Sequence, residues 1–180
     1  MSARKVAIVT GSGTGVGAAS ALALAAQGYD VLINYSKSEA EAEASAAACR
    51  NAGADTLLMR GDVADDASCR GMAQAVVDRW GRLDALVNNA GVTSFAGAAN
   101  WDAIDVDTFQ HVVGVNALGT FQMIRACAPH LKAARGSIVT GPATSSAIVA
   151  IAIGTEAAMR AFSLANPSAP SRFSNQPVPT

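Results

Sequence analysis

Residues 5–17 read Lys-Val-Ala-Ile-Val-Thr-Gly-Ser-Gly-Thr-Gly-Val-Gly. Lys5–Val9 is a short apolar run that ends in Thr10 and glycines, which is how a buried strand stops. Residues 15–28 are rich in Ala and Leu and end on Gly28, which predicts a helix. A strand that turns through glycines into a helix has a particular chemistry. Glycine lets the main chain approach a pyrophosphate closely, and the helix N-terminus adds unpaired N–H groups and the positive end of its dipole. Taken alone, such a loop also fits an ordinary flexible turn, so its surroundings decide the matter.

Working outward, strand and helix patterns alternate. Residues 30–34 form a second β-branched run, and residues 39–52 an Ala/Glu helix closed by Gly53. Residues 55–60 read as a third strand. Residues 65–80 open on acids, end on Arg79 and Gly81, and read as a third helix. A fourth strand is expected at 83–88, a long helix at 107–132 that Pro129 should kink or end, and a fifth strand at 136–140. Strands separated by helices imply right-handed βαβ units. The strands are continuously apolar, as in a parallel sheet covered on both faces. The expected class is α/β: a Rossmann-like, doubly wound parallel sheet with helices on both faces.

Composition agrees with one such domain. The chain has 180 residues, 13 Lys+Arg against 14 Asp+Glu, 51% apolar residues and 40 alanines. Alanine at that density suits closely packed helices, whereas disorder needs low hydrophobicity and high net charge. The near-neutral balance argues against nucleic acid, which calls for a basic face. Cys49, Cys69 and Cys127 match no metal spacing and read as free thiols in a reducing cytoplasm. A long uncharged stretch, residues 137–155, contains Pro142, three Ser and three Thr. Its apolar part is only residues 147–153, well short of a membrane span of about 20 residues. Residues 166–180 hold four of the six prolines and three serines. We therefore expect a domain over 1–165 and a Pro/Ser-rich tail over 166–180.

Three more segments accompany the glycine loop. Asp62-Val63 follows the third strand, Asn88-Asn89-Ala90-Gly91 ends the fourth, and Val115-Asn116-Ala117-Leu118-Gly119 lies in the long helix. With Thr10-Gly11-x-x-x-Gly15-x-Gly17, this set resembles the short-chain dehydrogenase/reductase family over about residues 5–140. The stretch 31–37 and the helix after it are similar to 3-oxoacyl-acyl-carrier-protein reductases. The resemblance implies NAD(P)(H)-dependent interconversion of a small-molecule carbonyl and alcohol. It implies that Gly11, Gly15 and Gly17 form the pyrophosphate loop, with Ser12, Thr14 and Val16 adding backbone or hydroxyl contacts. Asp62 and Val63 would receive the adenine. Asn89, Ala90 and Gly91 would floor the adenosine ribose, although Asn89 also serves to hold the sheet together. Asn116 would hold a water for proton relay. The long helix would lie at an interface between copies of the chain.

Cofactor choice follows from charge. An NAD site places an acid at the end of the second strand, on the ribose 2′-hydroxyl. Here that strand ends Asn34-Tyr35-Ser36-Lys37, with no acid before Glu39. Lys37 and Ser36 suit a 2′-phosphate, so NADP(H) is expected over NAD(H). The alternative is that Lys37 is a solvated surface lysine.

The resemblance fails at one point. The family's chemistry uses a Tyr-x-x-x-Lys pair, in which Lys lowers a phenol pKa of about 10. The only tyrosines are Tyr29 and Tyr35, and no lysine follows Lys132. The nearest match puts Ala152 at the Tyr position and Glu156 at the Lys position, and an acid there raises a neighbouring acid's pKa. Ser145 and Ser146 are close to where a catalytic serine belongs but fit an ordinary polar loop equally. His111 and His130 lie on the long helix, where histidine is more often a surface residue than a catalyst. The family also carries a further strand, helix and substrate loop, so the sheet is expected to be incomplete at its C-terminal edge. Two readings therefore stand beside an active reductase. One is a non-catalytic dinucleotide-binding protein. The other is a truncated or frame-shifted product of a reductase gene.

Overall fold

The structure is a computed structural model and describes residues 4–94 and 104–141. In chain order the elements are β1 (Lys5–Val9), α1 (Gly15–Ala26), β2 (Tyr29–Tyr35), α2 (Glu39–Asn51), β3 (Thr56–Arg60) and α3 (Asp66–Trp80). There follow β4 (Ala85–Asn88), α4 (Val106–Val113), a π-helical turn (Gly114–Gly119), α5 (Thr120–Ala134) and β5 (Ser137–Thr140). The five strands are all parallel, in the order β3-β2-β1-β4-β5. This is the doubly wound arrangement expected from the alternating patterns.

The central strands β1, β2 and β4 bury both faces, which explains why they read as unbroken apolar runs, while the outer strands β3 and β5 are only partly covered. Val6, Ile8, Leu32 and Leu86 pack with Met72 and Val76 of α3 and with Met123 and Cys127 of α5. Val9, Val31 and Ile33 pack on the other face with Ala21 and Ala25 of α1 and Ala42, Ala46 and Cys49 of α2. The alanines are therefore contact residues between two helices and the sheet. Their small side chains let the helix axes come close. All three cysteines are buried free thiols. Burial pushes Cys69 and Cys127 up to about 12, so both are protonated and unreactive at neutral pH.

Local signals set the helix ends. The Asp65 carboxylate caps α3 by accepting from the Ala67 and Ser68 N–H groups, and Gly81 closes it at φ 72°. Asp105 caps α4 through the Thr108 N–H.

Residues 107–132 are not one helix ended by Pro129. The irregularity lies earlier, in the π-turn, and α5 continues past Pro129 to Ala134. Pro129 is exposed, so the one ladder bond it removes falls on the solvent side, where water substitutes. The expected Ala152 and Glu156 positions, Ser145 and Ser146, and the 166–180 tail lie outside the described residues. Among the described residues β5 is the last strand on its side of the sheet.

Candidate functional site

The strand order runs outward in both directions from β1 and β4, so the loops after these two strands diverge and leave a crevice at their carboxyl ends. Open α/β sheets bind ligands in such crevices. A cleft of about 560 Å³ lies there, a volume typical of small-molecule sites. It is lined by Gly11 after β1, by Asn34, Ser36 and Lys37 at the end of β2, and by Arg60, Gly61, Asp62 and Val63 at the end of β3. Ser68 of α3, Ala90, Gly91 and Val92 after β4, and His111 and Val115 of the α4 region complete it.

The glycine loop is built by close approach. A Cβ on Gly17 would collide with the Gly11 carbonyl oxygen and the Asn89 side-chain amide. Gly11 sits at φ 60°, and a Cβ there would lie 2.9 Å from the Ala90 Cα. Helix α1 is thus drawn against the loop. Its N-cap Thr14 makes no side-chain cap bond, and its first turn carries no acid. Helices α2, α3 and α4 all carry acids there. An uncapped, uncompensated N-terminus at the mouth of a glycine cradle is suited to a phosphate. The residues present therefore fit a dinucleotide.

Several predicted contact residues turn inward instead. Ser12 is fully buried. Its hydroxyl donates to the Val9 carbonyl at 2.7 Å and accepts from the Asn34 N–H at 3.0 Å. It is a loop brace, and its hydroxyl does not face the cleft. Asn34 is buried as well, with Oδ1 accepting from the Gly11 N–H at 3.0 Å and Nδ2 donating to the Gly61 carbonyl at 3.0 Å. One amide therefore ties the ends of β1, β2 and β3 together. Asn89 donates to the Thr10 and Gly11 carbonyls, both at 3.0 Å, and does hold the sheet and loop together.

Asn116 sits in the π-turn. Its Oδ1 accepts from the Val92 N–H and its Nδ2 donates to the Val92 carbonyl, both at 2.9 Å. Its own carbonyl accepts from the Thr120 hydroxyl at 2.9 Å. The residue expected to hold a water thus pins the segment that follows Gly91 to the helix. Thr14, Gly15 and Val16 are exposed at the start of α1.

Val63 is braced from two sides. Its carbonyl accepts from Gln122 Nε2 at 2.8 Å and from the Cys69 thiol at 3.2 Å. Asp62 turns back on itself, accepting from the Ala64 N–H at 2.9 Å. Tyr35 lies at the end of β2 outside the cleft lining. Burial, then the Glu39 carboxylate to which it hydrogen-bonds, push its phenol above its usual range.

Arg60, Ser68, Val92, His111 and Val115 also line the cleft, though none was assigned a cofactor contact from sequence. The signal for Arg60 was available only through strand register, which sets it beside Tyr35. His130 faces a separate recess with Val77, Gly81 and Arg82 near the start of β4, away from the glycine loop. The Arg82 fork there is already committed to Asp84. No group of metal-binding side chains occurs among the described residues, and none of the described helices is long and apolar enough to cross a membrane.

Comparison with known proteins agrees with this geometry. Residues 5–154 match the family described as short chain dehydrogenase. The chain belongs to that family of NAD(P)-binding oxidoreductases. It is 37% identical over 128 residues to an uncharacterized oxidoreductase of Methylorubrum extorquens, covering 68% of this chain and 50% of that one. It is 34% identical over 101 residues to 2-(R)-hydroxypropyl-CoM dehydrogenase of Xanthobacter autotrophicus, covering 56% of this chain and 40% of that one. Among solved structures, a short chain dehydrogenase from Burkholderia cenocepacia in complex with NADP superposes with a TM-score of 0.70 at 36% identity. That match covers 76% of this chain and 54% of the other. The chain spans half or less of the length of these curated relatives.

Proposed function

We propose that this chain is a cytoplasmic NADP(H)-binding member of the family, and that its own carbonyl–alcohol turnover is weak or nil. The observation that carries the binding half is the glycine cradle against an uncapped α1, opening onto a cleft that holds Lys37. In this reading the α1 N-terminus and the Gly11–Gly17 loop hold the pyrophosphate. Asp62 and Val63 receive the adenine, Ala90 and Gly91 lie under the ribose, and Ser36 and Lys37 take the 2′-phosphate. Bound nicotinamide dinucleotide supplies the hydride chemistry. Asn34, Asn89 and Asn116 position these loops rather than touching the reacting atoms.

The observation that carries the second half is the lack of a Tyr-x-x-x-Lys pair anywhere in the 180 residues. Loss of a general acid costs about 10²–10⁴ in rate. Titration by NADPH fluorescence should show saturable binding, tighter than for NADH. Lys37→Glu should lower the NADPH-over-NADH preference by about tenfold or more, because a carboxylate repels the 2′-phosphate. A panel of ketones should leave the 340 nm absorbance of NADPH flat. Ready turnover would refute the non-catalytic half, and absence of nucleotide binding by the folded chain would refute the first.

A second copy of the chain is the partner this reading assigns. Val106, Phe109, Val113, Leu118 and Phe121 are all exposed, Val106 at 69% and Phe109 at 62%. Their spacing follows one helix face, with the five-residue step from Val113 to Leu118 spanning the π-turn. An exposed apolar stripe of this length marks an interaction surface. Phe109→Asp should convert a dimer or larger oligomer to monomer by sedimentation or light scattering. A wild-type chain that is already monomeric at high concentration would overturn the assignment.

A further inference from the structure

We propose that Arg60 is the second cation of the 2′-phosphate subsite and sets the preference for a 2′-phosphorylated adenosine nucleotide together with Lys37. This rests on the NADP(H) reading above and extends it to a residue at the end of a different strand. The argument begins with register. In the parallel sheet Arg60 pairs with Tyr35, so the last residue of β3 lies beside the last residue of β2. Ser36 and Lys37 follow directly, and Arg60, Ser36 and Lys37 all line the same cleft.

The second observation is what Arg60 does not do. Arg4, Arg50, Arg70, Arg79, Arg82 and Arg125 each hold a carboxylate. Among the described residues Arg60 holds none, although Asp62 stands two residues away on the cleft wall. Its Nε instead donates to the Ser36 carbonyl at 3.2 Å. That single bond anchors the guanidinium to the turn carrying Lys37 and leaves its two terminal nitrogens as donors. A planar fork of this kind matches a phosphate bidentately, whereas Lys acts as a point charge. The cleft lining then offers two cations against the one carboxylate of Asp62. An arginine kept from carboxylates and steered by a main-chain carbonyl is preorganised for an anionic ligand.

The test uses the two mononucleotides that differ only in the group in question, adenosine 2′,5′-bisphosphate and adenosine 5′-monophosphate, titrated by calorimetry into the full chain. Wild type should bind the bisphosphate more tightly. Arg60→Gln should weaken the bisphosphate about tenfold or more and leave the monophosphate within about twofold. Arg60→Lys should recover part of the loss, since charge returns without the fork. Equal weakening of both ligands by Arg60→Gln would overturn the proposal and make Arg60 a brace for the Ser36 turn. No change in either would overturn it as well and make Arg60 a solvated surface residue. Equal binding of both ligands by wild type would defeat the NADP(H) preference itself, a distinct result seen before any variant is made.

Discussion

Gly17→Ala is expected to destabilise the chain by about 1–3 kcal/mol and to weaken NADPH binding by at least about tenfold. The sign is the informative part. In an exposed helix interior, glycine to alanine gains up to about 1 kcal/mol. Here the added methyl meets the Gly11 carbonyl oxygen and the Asn89 amide. Neither can move freely. Gly11 is held by Asn34 through its N–H, and Asn89 is held by two carbonyls. The methyl must therefore push α1 off the loop, carrying its N-terminus away from the cleft. Gly13→Ala is the matched control. Its Cβ would meet Ala42 at 3.5 Å, an ordinary contact, so stability and binding should change little. Urea unfolding and fluorescence titration of both variants would check the pair. A Gly17→Ala chain as stable and as tightly binding as wild type would refute the close-approach account.

Asp84→Ala is expected to have the larger effect on stability, about 3–5 kcal/mol. Asp84 is buried at the start of β4. Its Oδ2 accepts from the Val6 N–H of β1 at 2.8 Å, and both its oxygens face the Arg82 fork, at 2.8 and 2.6 Å. Removing the carboxylate leaves a main-chain donor buried without its partner and an arginine without its anion. Burial raises the Asp84 pKa, but the Arg82 bonds, the Val6 N–H and the charges of Arg82 and Lys5 outweigh it, so the carboxyl sits below its usual range. A carboxyl depressed in the folded state contributes stability that is complete above its unfolded pKa of about 4. That stability is lost as pH falls through the lower folded value. Asp55 is depressed in the same way, chiefly by its bond to Arg79. Urea midpoints measured from pH 7 down to pH 3 should fall on the acid side for wild type. They should fall less steeply for Asp84→Asn, which has no proton left to take up at that position. An acid arm equally steep in both would show that Asp84 does not carry it.

The sequence alone determined what depends on near neighbours along the chain. Lys5–Val9, the acid-capped α3 and the glycine that ends it are written in runs, periods and cap residues a few positions apart, and all appear where they were read. So does the parallel arrangement of the strands, because unbroken apolar strands joined by helices leave few other packings. Gly28, Gly53 and Gly81 could also be read, since each follows a helix at a positive φ.

What only the tertiary structure decided is which way a polar side chain points. Ser12 and Asn34 sit among cofactor-loop residues in sequence, yet bury their polar atoms on one another and on neighbouring strands. A buried polar group must find a partner, and here the nearest partners were main-chain groups brought in by the sheet. Asn116 found Val92 for the same reason, 24 positions away in sequence and within hydrogen-bond reach in the fold. Pro129 promised a break that the structure puts instead at the π-turn, where Asn116 engages Val92 and the helix re-registers. Arg60 carried no local signal, because nothing in residues 55–60 says what lies beside their last member. Register with β2 placed it next to the Lys37 turn. Contacts between strand ends are set by hydrogen-bonded pairing across the sheet, and that pairing is a property of the folded chain.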